Sequence, residues 1–363
     1  MLRLGVPRSV ASRRAVAHGG IYSSGLDYDP RILDFSSNVN PLGFPPSVRK
    51  NLAKHSALFS IYPDPDSTAL RKALQKYTGI PKDQITVGNG ATEIIYNFCK
   101  AFLKGRRVLI PAPTFGEYES AARLEGARVS FFETMDLNRD IERFVGEIPK
   151  SHCVFVCNPN NPTGTLTSRK NMERILKASR RNSVLVFVDE CFIELSNPSG
   201  TVAPKTRTFD NLFVLRSLTK SFGLAGLRVG YGIGSRRMIE MLNRIKIPWN
   251  VSGIAQNIAT SALSSRSHLP SSRRLIAGER RFLRESISAM GGFHCYDSDA
   301  NFILVKTEMP PKVLQKKLMK KNILIRDCSS FRGLRGSFIR IAVRTRPENK
   351  KLVGELGKIW QKR

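Results

Sequence analysis

The sequence predicts an α/β protein built on a mostly parallel central sheet in a large domain, with a smaller α+β lobe attached. Three observations predict it. Short β-branched or aromatic runs alternate through the middle of the chain with stretches of helical periodicity, the pattern of stacked βαβ units covered on both faces. After Pro248 the texture changes to a long helical region followed by a second set of strand-like runs. The chain has 363 residues, too many for one small core and too few for three ordinary domains.

Taken in order, the segment before Pro46 has little helical periodicity and several Gly and Pro, so it is expected to cross between the lobes as loop and short strand. Val87-Gly-Asn-Gly90 closes a strand and opens the helix Thr92–Leu103. Strands are expected at Val108–Ile110, Arg128–Phe132, Val154–Cys157, Val184–Val188, Leu212–Leu215 and Val229–Ile233, each bounded by turn formers. Helices are expected at Glu117–Glu125 and Arg169–Arg180, where apolar residues recur at i, i+3 and i+4. The later helical region should break around Ser264–Ser272, and the last strands fall at Phe302–Lys306, Ile323–Ile325 and Phe338–Val343. The boundaries that follow are a basic extension over 1–17, a joining segment over 18–45, a large domain over 46–260 and a small C-terminal domain over 261–363.

Lys and Arg number 59 against 29 Asp and Glu, and the net charge of +30 favours anionic partners: nucleic acid, a membrane surface or phosphorylated small molecules. Apolar residues at 41% and charged ones at 24% exclude disorder as the general state. No apolar run approaches the roughly 18 residues that span a bilayer, so a soluble protein is expected. Cys99, Cys153, Cys157, Cys191, Cys295 and Cys328 form no CxxC pair, which indicates neither a metal site nor a disulfide framework and makes a reducing cytoplasm the simplest location. The first seventeen residues carry four Arg and no acid, as a transit peptide does; a ragged basic extension is the simpler reading.

Four motifs carry chemistry. In Ser217-Leu-Thr-Lys220-Ser-Phe-Gly223-Leu-Ala-Gly226-Leu-Arg228-Val-Gly230 a lysine follows a buried strand, where burial lowers the ammonium pKa and frees a nucleophilic amine of the kind a Schiff base requires. Ser217 and Arg228 flank it and can donate to one phosphate. Alone, such a lysine is a loop lysine beside a glycine turn. Gly90-Ala91-Thr92 opens a helix whose free N–H groups and dipole attract an anion. Asn158-Pro-Asn160-Asn161-Pro162 fixes an amide at the carboxyl edge of a sheet, and Asp189 ends a buried strand with a carboxylate that needs a partner. Each motif has a bland explanation singly, as a turn or a cap; the four in this order do not.

This set resembles the fold-type-I pyridoxal-phosphate enzymes, the aspartate aminotransferase superfamily, over residues 18 to 360, and within it the branch of histidinol-phosphate aminotransferase and threonine-phosphate decarboxylase. The resemblance implies the three-layer fold of those transferases, pyridoxal 5'-phosphate as cofactor, and a large domain that binds it. Lys220 would hold the cofactor and move protons. Asp189 would pair with its pyridine nitrogen, Asn161 would bond its O3′, and Phe115 would stack on the ring. Gly90, Ala91, Thr92, Ser217 and Arg228 would hold its phosphate. Tyr62 would reach that phosphate from a neighbouring subunit, which implies a homodimer with shared sites. His18, Gly19, Asn40, Arg326 and Arg340 would contact a phosphorylated amino-acid substrate, Arg340 through its carboxylate.

Local features favour the decarboxylase: Ala17-His18-Gly19-Gly20, Phe35-Ser-Ser-Asn38-Val-Asn40-Pro41-Leu42-Gly43, Pro248-Trp249-Asn250-Val251, and Phe192, where the aminotransferases usually carry Tyr. The activity so implied is decarboxylation of L-threonine O-3-phosphate to (R)-1-aminopropan-2-ol O-2-phosphate in cobalamin synthesis. The alternative is a histidinol-phosphate or related aminotransferase. Cys191 departs from the small Ala expected beside the site, and Arg344 would share a face with Arg340 if the strand stayed regular. A nucleic-acid-binding protein is favoured by charge alone, since the chain carries no RNP, zinc-finger or helix-turn-helix signature.

Overall fold

The computed structural model describes residues 16–52 and 58–361. Of the basic extension assigned to 1–17, all but Val16 and Ala17 lies outside the described residues. In chain order the described strands are β1 (Leu33–Asp34), β2 (Ile85–Asn89), β3 (Arg107–Ala112), β4 (Arg128–Glu133), β5 (Cys153–Cys157), β6 (Leu185–Asp189), β7 (Leu212–Ser217), β8 (Val229–Ile233), β9 (Phe293–Cys295), β10 (Phe302–Thr307), β11 (Ile323–Leu324), β12 (Arg326–Asp327) and β13 (Phe338–Ala342).

The large sheet runs β2-β8-β7-β6-β5-β3-β4. Its β3–β4, β3–β5, β5–β6 and β6–β7 pairs are parallel, and β8 alone runs against its neighbours β2 and β7. Both faces are covered. Val154 and Val156 point into one apolar cluster while Cys153, Phe155 and Cys157 point into another. That double burial is why β5 and β7 read as unbroken apolar runs instead of alternating ones. The carboxyl ends of β5, β6 and β7 align along one edge, through pairs such as Cys157 with Asp189 and Asp189 with Leu215, and a site belongs at that edge.

A second, antiparallel sheet runs β12-β13-β10-β9, with the helices His268–Ser288 and Arg346–Gln361 beside it. β1 pairs in parallel with β11, Leu33 opposite Ile323, so the segment before Pro46 ties the chain's start to its last third. The run expected at Ile323–Ile325 is divided: β11 ends at Leu324, and β12 begins at Arg326 against Arg340 of β13. The helical break is also narrower than expected. The second helix starts at His268, because Pro270 lies in its first turn, where a missing N–H costs no helical bond. Among the described residues no helix is long and apolar enough to cross a membrane.

Candidate active site

Where β2 ends, the helix Gly90–Phe102 begins. Gly90 has φ +76°, and a Cβ there would stand 2.3 Å from Arg228 Nη2; a Cβ on Gly230 would stand 2.5 Å from the Ala91 nitrogen. Two glycines therefore let one guanidinium lie against the first turn of a helix. Arg228 itself adopts φ 56°, a left-handed conformation that costs a non-glycine residue on the order of 1 kcal/mol or more. Its Nη1 donates to the Ala225 carbonyl at 3.2 Å, and among the described residues no carboxylate pairs with it. An arginine without a carboxylate partner among the described residues, converging on a helix N-terminus, can make a phosphate cradle. Ser217, ending β7, lines the same space; its Oγ accepts from Thr219 N–H at 3.2 Å and keeps its own proton to donate.

Lys220 lies in the one-turn helix Leu218–Ser221 directly after β7. Burial, with the nearby charges of Arg340 and Arg228, pushes its ammonium down to about 8. Asp189 ends β6 and is 5% exposed. Its Oδ2 accepts from Tyr118 Oη at 2.6 Å and its Oδ1 from Cys191 N–H at 2.9 Å. Burial raises the carboxyl pKa, and the bonds from Cys191 and Tyr118 oppose that rise. Asn161 Oδ1 accepts from Arg340 Nη1, and Arg340 Nη2 donates to the Ser36 carbonyl at 2.8 Å. Arg340 Nε is buried without a partner, and burial lowers this guanidinium to about 10. Phe192 packs edge-on to Phe302 at 5.1 Å, forming an apolar wall with Ala300.

These groups surround a cleft of about 220 Å³. Of the residues singled out from the sequence, His18, Gly19, Ala91, Thr92, Phe115, Asn161, Asp189, Ser217, Lys220, Arg228, Arg326 and Arg340 line it. Ala17, His18 and Gly19 form part of its wall. Arg326 donates to the His18 carbonyl at 2.9 Å and the Ala17 carbonyl at 2.6 Å, His18 Nε2 meets Glu117 Oε1 at 2.8 Å, and a Cβ on Gly19 would collide with the Ser36 carbonyl at 2.2 Å. Glycine at 19 is what lets this segment lie flat.

Three further residues lie outside the cleft lining. Asn40 does not reach the cleft: its Nδ2 donates to the Ser221 carbonyl at 2.7 Å and to Ser272 Oγ at 2.8 Å, and its backbone N–H donates to the Lys220 carbonyl at 3.0 Å. It braces the lysine helix from behind. Tyr62 is 82% exposed, packs at a tilt against Trp249 with ring centroids 5.1 Å apart and does not line this chain's own cleft. Arg344 leaves the site because β13 stops at Ala342; it bonds Glu348 at 2.6 Å and the Asp34 carbonyl at 3.1 Å. Sequence reasoning assigned no role to Ser36, Asn38 or Tyr118, all of which line the cleft. Their signal in the sequence is proximity: Ser36 and Asn38 lie between Phe35 and Asn40, and Tyr118 lies three residues after Phe115.

The donor set fits pyridoxal 5'-phosphate: a phosphate cradle that a Cβ at Gly90 would fill, an amine of lowered basicity, and a buried carboxylate that forms no ion pair among the described residues. Comparison with known proteins points the same way. A family model described as aminotransferase class I and II matches residues 30–356. A relative from Caldanaerobacter subterraneus subsp. tengcongensis named "Putative threonine-phosphate decarboxylase" is 36% identical over 351 residues, 95% of this chain and 94% of its own. A histidinol-phosphate aminotransferase from Methanococcus aeolicus is 32% identical over 336 residues, 90% of each chain. The crystal structure of the histidinol-phosphate aminotransferase from Clostridium acetobutylicum superposes with a TM-score of 0.85 at 31% identity, covering 92% of this chain and 100% of the other.

Proposed function

The chain belongs to the aminotransferase class I and II family, whose members use pyridoxal 5'-phosphate, and we propose that within it this protein decarboxylates L-threonine O-3-phosphate to (R)-1-aminopropan-2-ol O-2-phosphate. The observation that carries this reading is Phe192. The residue three beyond Asp189 turns a rigid, hydroxyl-free ring to the cleft, held by Phe302 and Ala300, so Asn161 is left as the polar group for O3′. The relative named as a decarboxylase adds support.

When bound, the cofactor supplies the electron sink that lets a bond to the substrate α-carbon break. The chain's residues do the rest. Arg228, Ser217 and the first turn of Gly90–Phe102 hold the cofactor phosphate; Asp189 holds a proton at the ring nitrogen, and Phe115 covers the ring. Arg340 orients the substrate carboxylate. Arg326 and His18, in the cleft wall, face the substrate phosphate, and the Ala17–Gly20 segment excludes water. Lys220 Nζ, neutral in part near pH 7 because of its lowered pKa, accepts a proton as substrate enters and returns one to the α-carbon after CO2 departs. Tyr62 stands among exposed Phe59, Ile61, Ile247 and Trp249, a surface suited to a second copy of the chain whose cleft it would complete.

The test is direct. Purified protein with pyridoxal phosphate is given threonine phosphate, serine phosphate, or histidinol phosphate with 2-oxoglutarate, and CO2 and glutamate are measured. CO2 from threonine phosphate is expected; glutamate without CO2 would overturn the decarboxylase reading in favour of the aminotransferase that the Methanococcus relative represents. The Lys220→Ala protein should lose the cofactor absorbance that borohydride fixes to the wild type.

A further inference from the structure

We propose that Tyr118 is the positioning residue for both groups that grip the cofactor ring, Asp189 at its nitrogen and Phe115 on its face. The inference rests on the reading that Asp189 pairs with that nitrogen. Tyr118 stands in the first turn of the helix Glu117–Leu124, three residues after Phe115, and the two rings meet edge to face at 5.6 Å and 81°. Its other side stacks on Phe155 of β5 at 5.2 Å and 24°. With 1% of its surface exposed, the ring is held on both sides, and its hydroxyl is delivered to Asp189 Oδ2 at 2.6 Å. Nothing in the reaction as described uses this bond.

The bond has a chemical consequence. Asp189 is a carboxylate in an apolar surrounding, and burial favours its protonated form. A phenol is a donor only while it keeps its proton, and burial, with Asp189 beside it, drives the Tyr118 pKa well up, so it stays a donor across the working range. Two donors, Tyr118 Oη and Cys191 N–H, favour the charged form of Asp189 and offset part of the rise that burial imposes. The proton shared with the cofactor's ring nitrogen then stays on the ring. Without Tyr118 the carboxylate would take a larger share of that proton, the ring would withdraw electrons less strongly, and the nitrogen through which Lys220 holds the cofactor would keep its own proton to higher pH.

The experiment follows the absorbance of the cofactor-loaded protein, without substrate, across a pH series for wild type, Tyr118→Phe, 3-fluorotyrosine at position 118, and Asp189→Asn. Tyr118→Phe should raise the absorbance midpoint by about one pH unit and weaken cofactor binding about tenfold, the size expected for one bond to a charged group. The fluorinated ring, a stronger donor of nearly the same shape, should move the midpoint down. A phenol that serves only packing would lower stability in Tyr118→Phe and leave the absorbance midpoints of Tyr118→Phe and of the fluorotyrosine protein at the wild-type value; that result, with Asp189→Asn still shifted, overturns the inference alone. An unshifted Asp189→Asn overturns it together with the reading of Asp189. Should Tyr118→Phe fail to fold, the fluorotyrosine protein decides, since its fold is undisturbed.

Discussion

Gly90 is the residue on which the phosphate cradle turns. Its φ of +76° is open to glycine, and its missing Cβ is the space that Arg228 fills. Gly90→Ala must displace the guanidinium or distort the first turn of the helix, so cofactor affinity should fall at least about tenfold while the protein still folds, a left-handed alanine costing about 1 kcal/mol. Fluorescence titration of the apoprotein with pyridoxal phosphate measures this, and binding within twofold of wild type would show that the cradle lies elsewhere. Gly90, Lys220, Asp189 and Arg228 were legible because each sits beside a strand end or turn that local residues define. Tyr118 and Asn40 were not. The Tyr118–Asp189 bond joins residues 71 apart and the Asn40–Ser221 bond residues 181 apart, and no local pattern encodes which distant partner a side chain meets. The motif around Asn40 does not show that its amide reaches the Ser221 carbonyl and braces the lysine helix.

That brace is a property of elements. The one-turn helix carrying Lys220 is too short to hold its own orientation, having a single turn of backbone bonds. The loop 38–43 secures it from behind: Asn40 reaches the Lys220 and Ser221 carbonyls and Ser272 of the helix His268–Ser288, and a Cβ on Gly223 would stand 2.4 Å from the backbone of Gly43. Asn40→Ala takes the side-chain donor from the buried Ser221 carbonyl and one of two bonds from Ser272 Oγ, which still donates to the His268 carbonyl, in a region only 3% exposed at Asn40, so it should cost about 1–3 kcal/mol in urea unfolding. A change below about 0.5 kcal/mol would mean that the loop and the lysine helix hold together without it. The strands of the large sheet were readable because burial on both faces writes continuous β-branched runs. The smaller sheet was readable only in outline. Ile325 is as apolar as Ile323 and Leu324 before it, and the change of partner from β1 to β13 on either side of it depends on pairing that its sequence does not record.

At the scale of the whole molecule the excess of positive charge has to be divided between the cleft and the surface. Lys220, Arg228, Arg326 and Arg340 line the cleft, but residues 236–284 alone hold ten Lys and Arg against two Glu, and Lys312, Lys316 and Lys317 of the helix Pro311–Met319 stand exposed with Lys320 just past its end. Charge of one sign over a whole surface raises the encounter rate with a small anion, and salt removes the effect. Raising the ionic strength from about 0.1 M to about 1 M shortens the screening length from about 10 Å to about 3 Å. For a phosphorylated amino acid, kcat/KM should therefore fall several-fold over that range while kcat stays level. Salt also screens the contacts inside the cleft, so a second comparison separates near from far. Reversing Lys316, Lys317 and Lys320 to Glu leaves every cleft residue in place. If the surface gathers substrate, this triple variant loses kcat/KM at low salt and matches the wild type at high salt; if it matches the wild type at both, the surface charge has no part in capture and the salt dependence belongs to the four cations of the cleft.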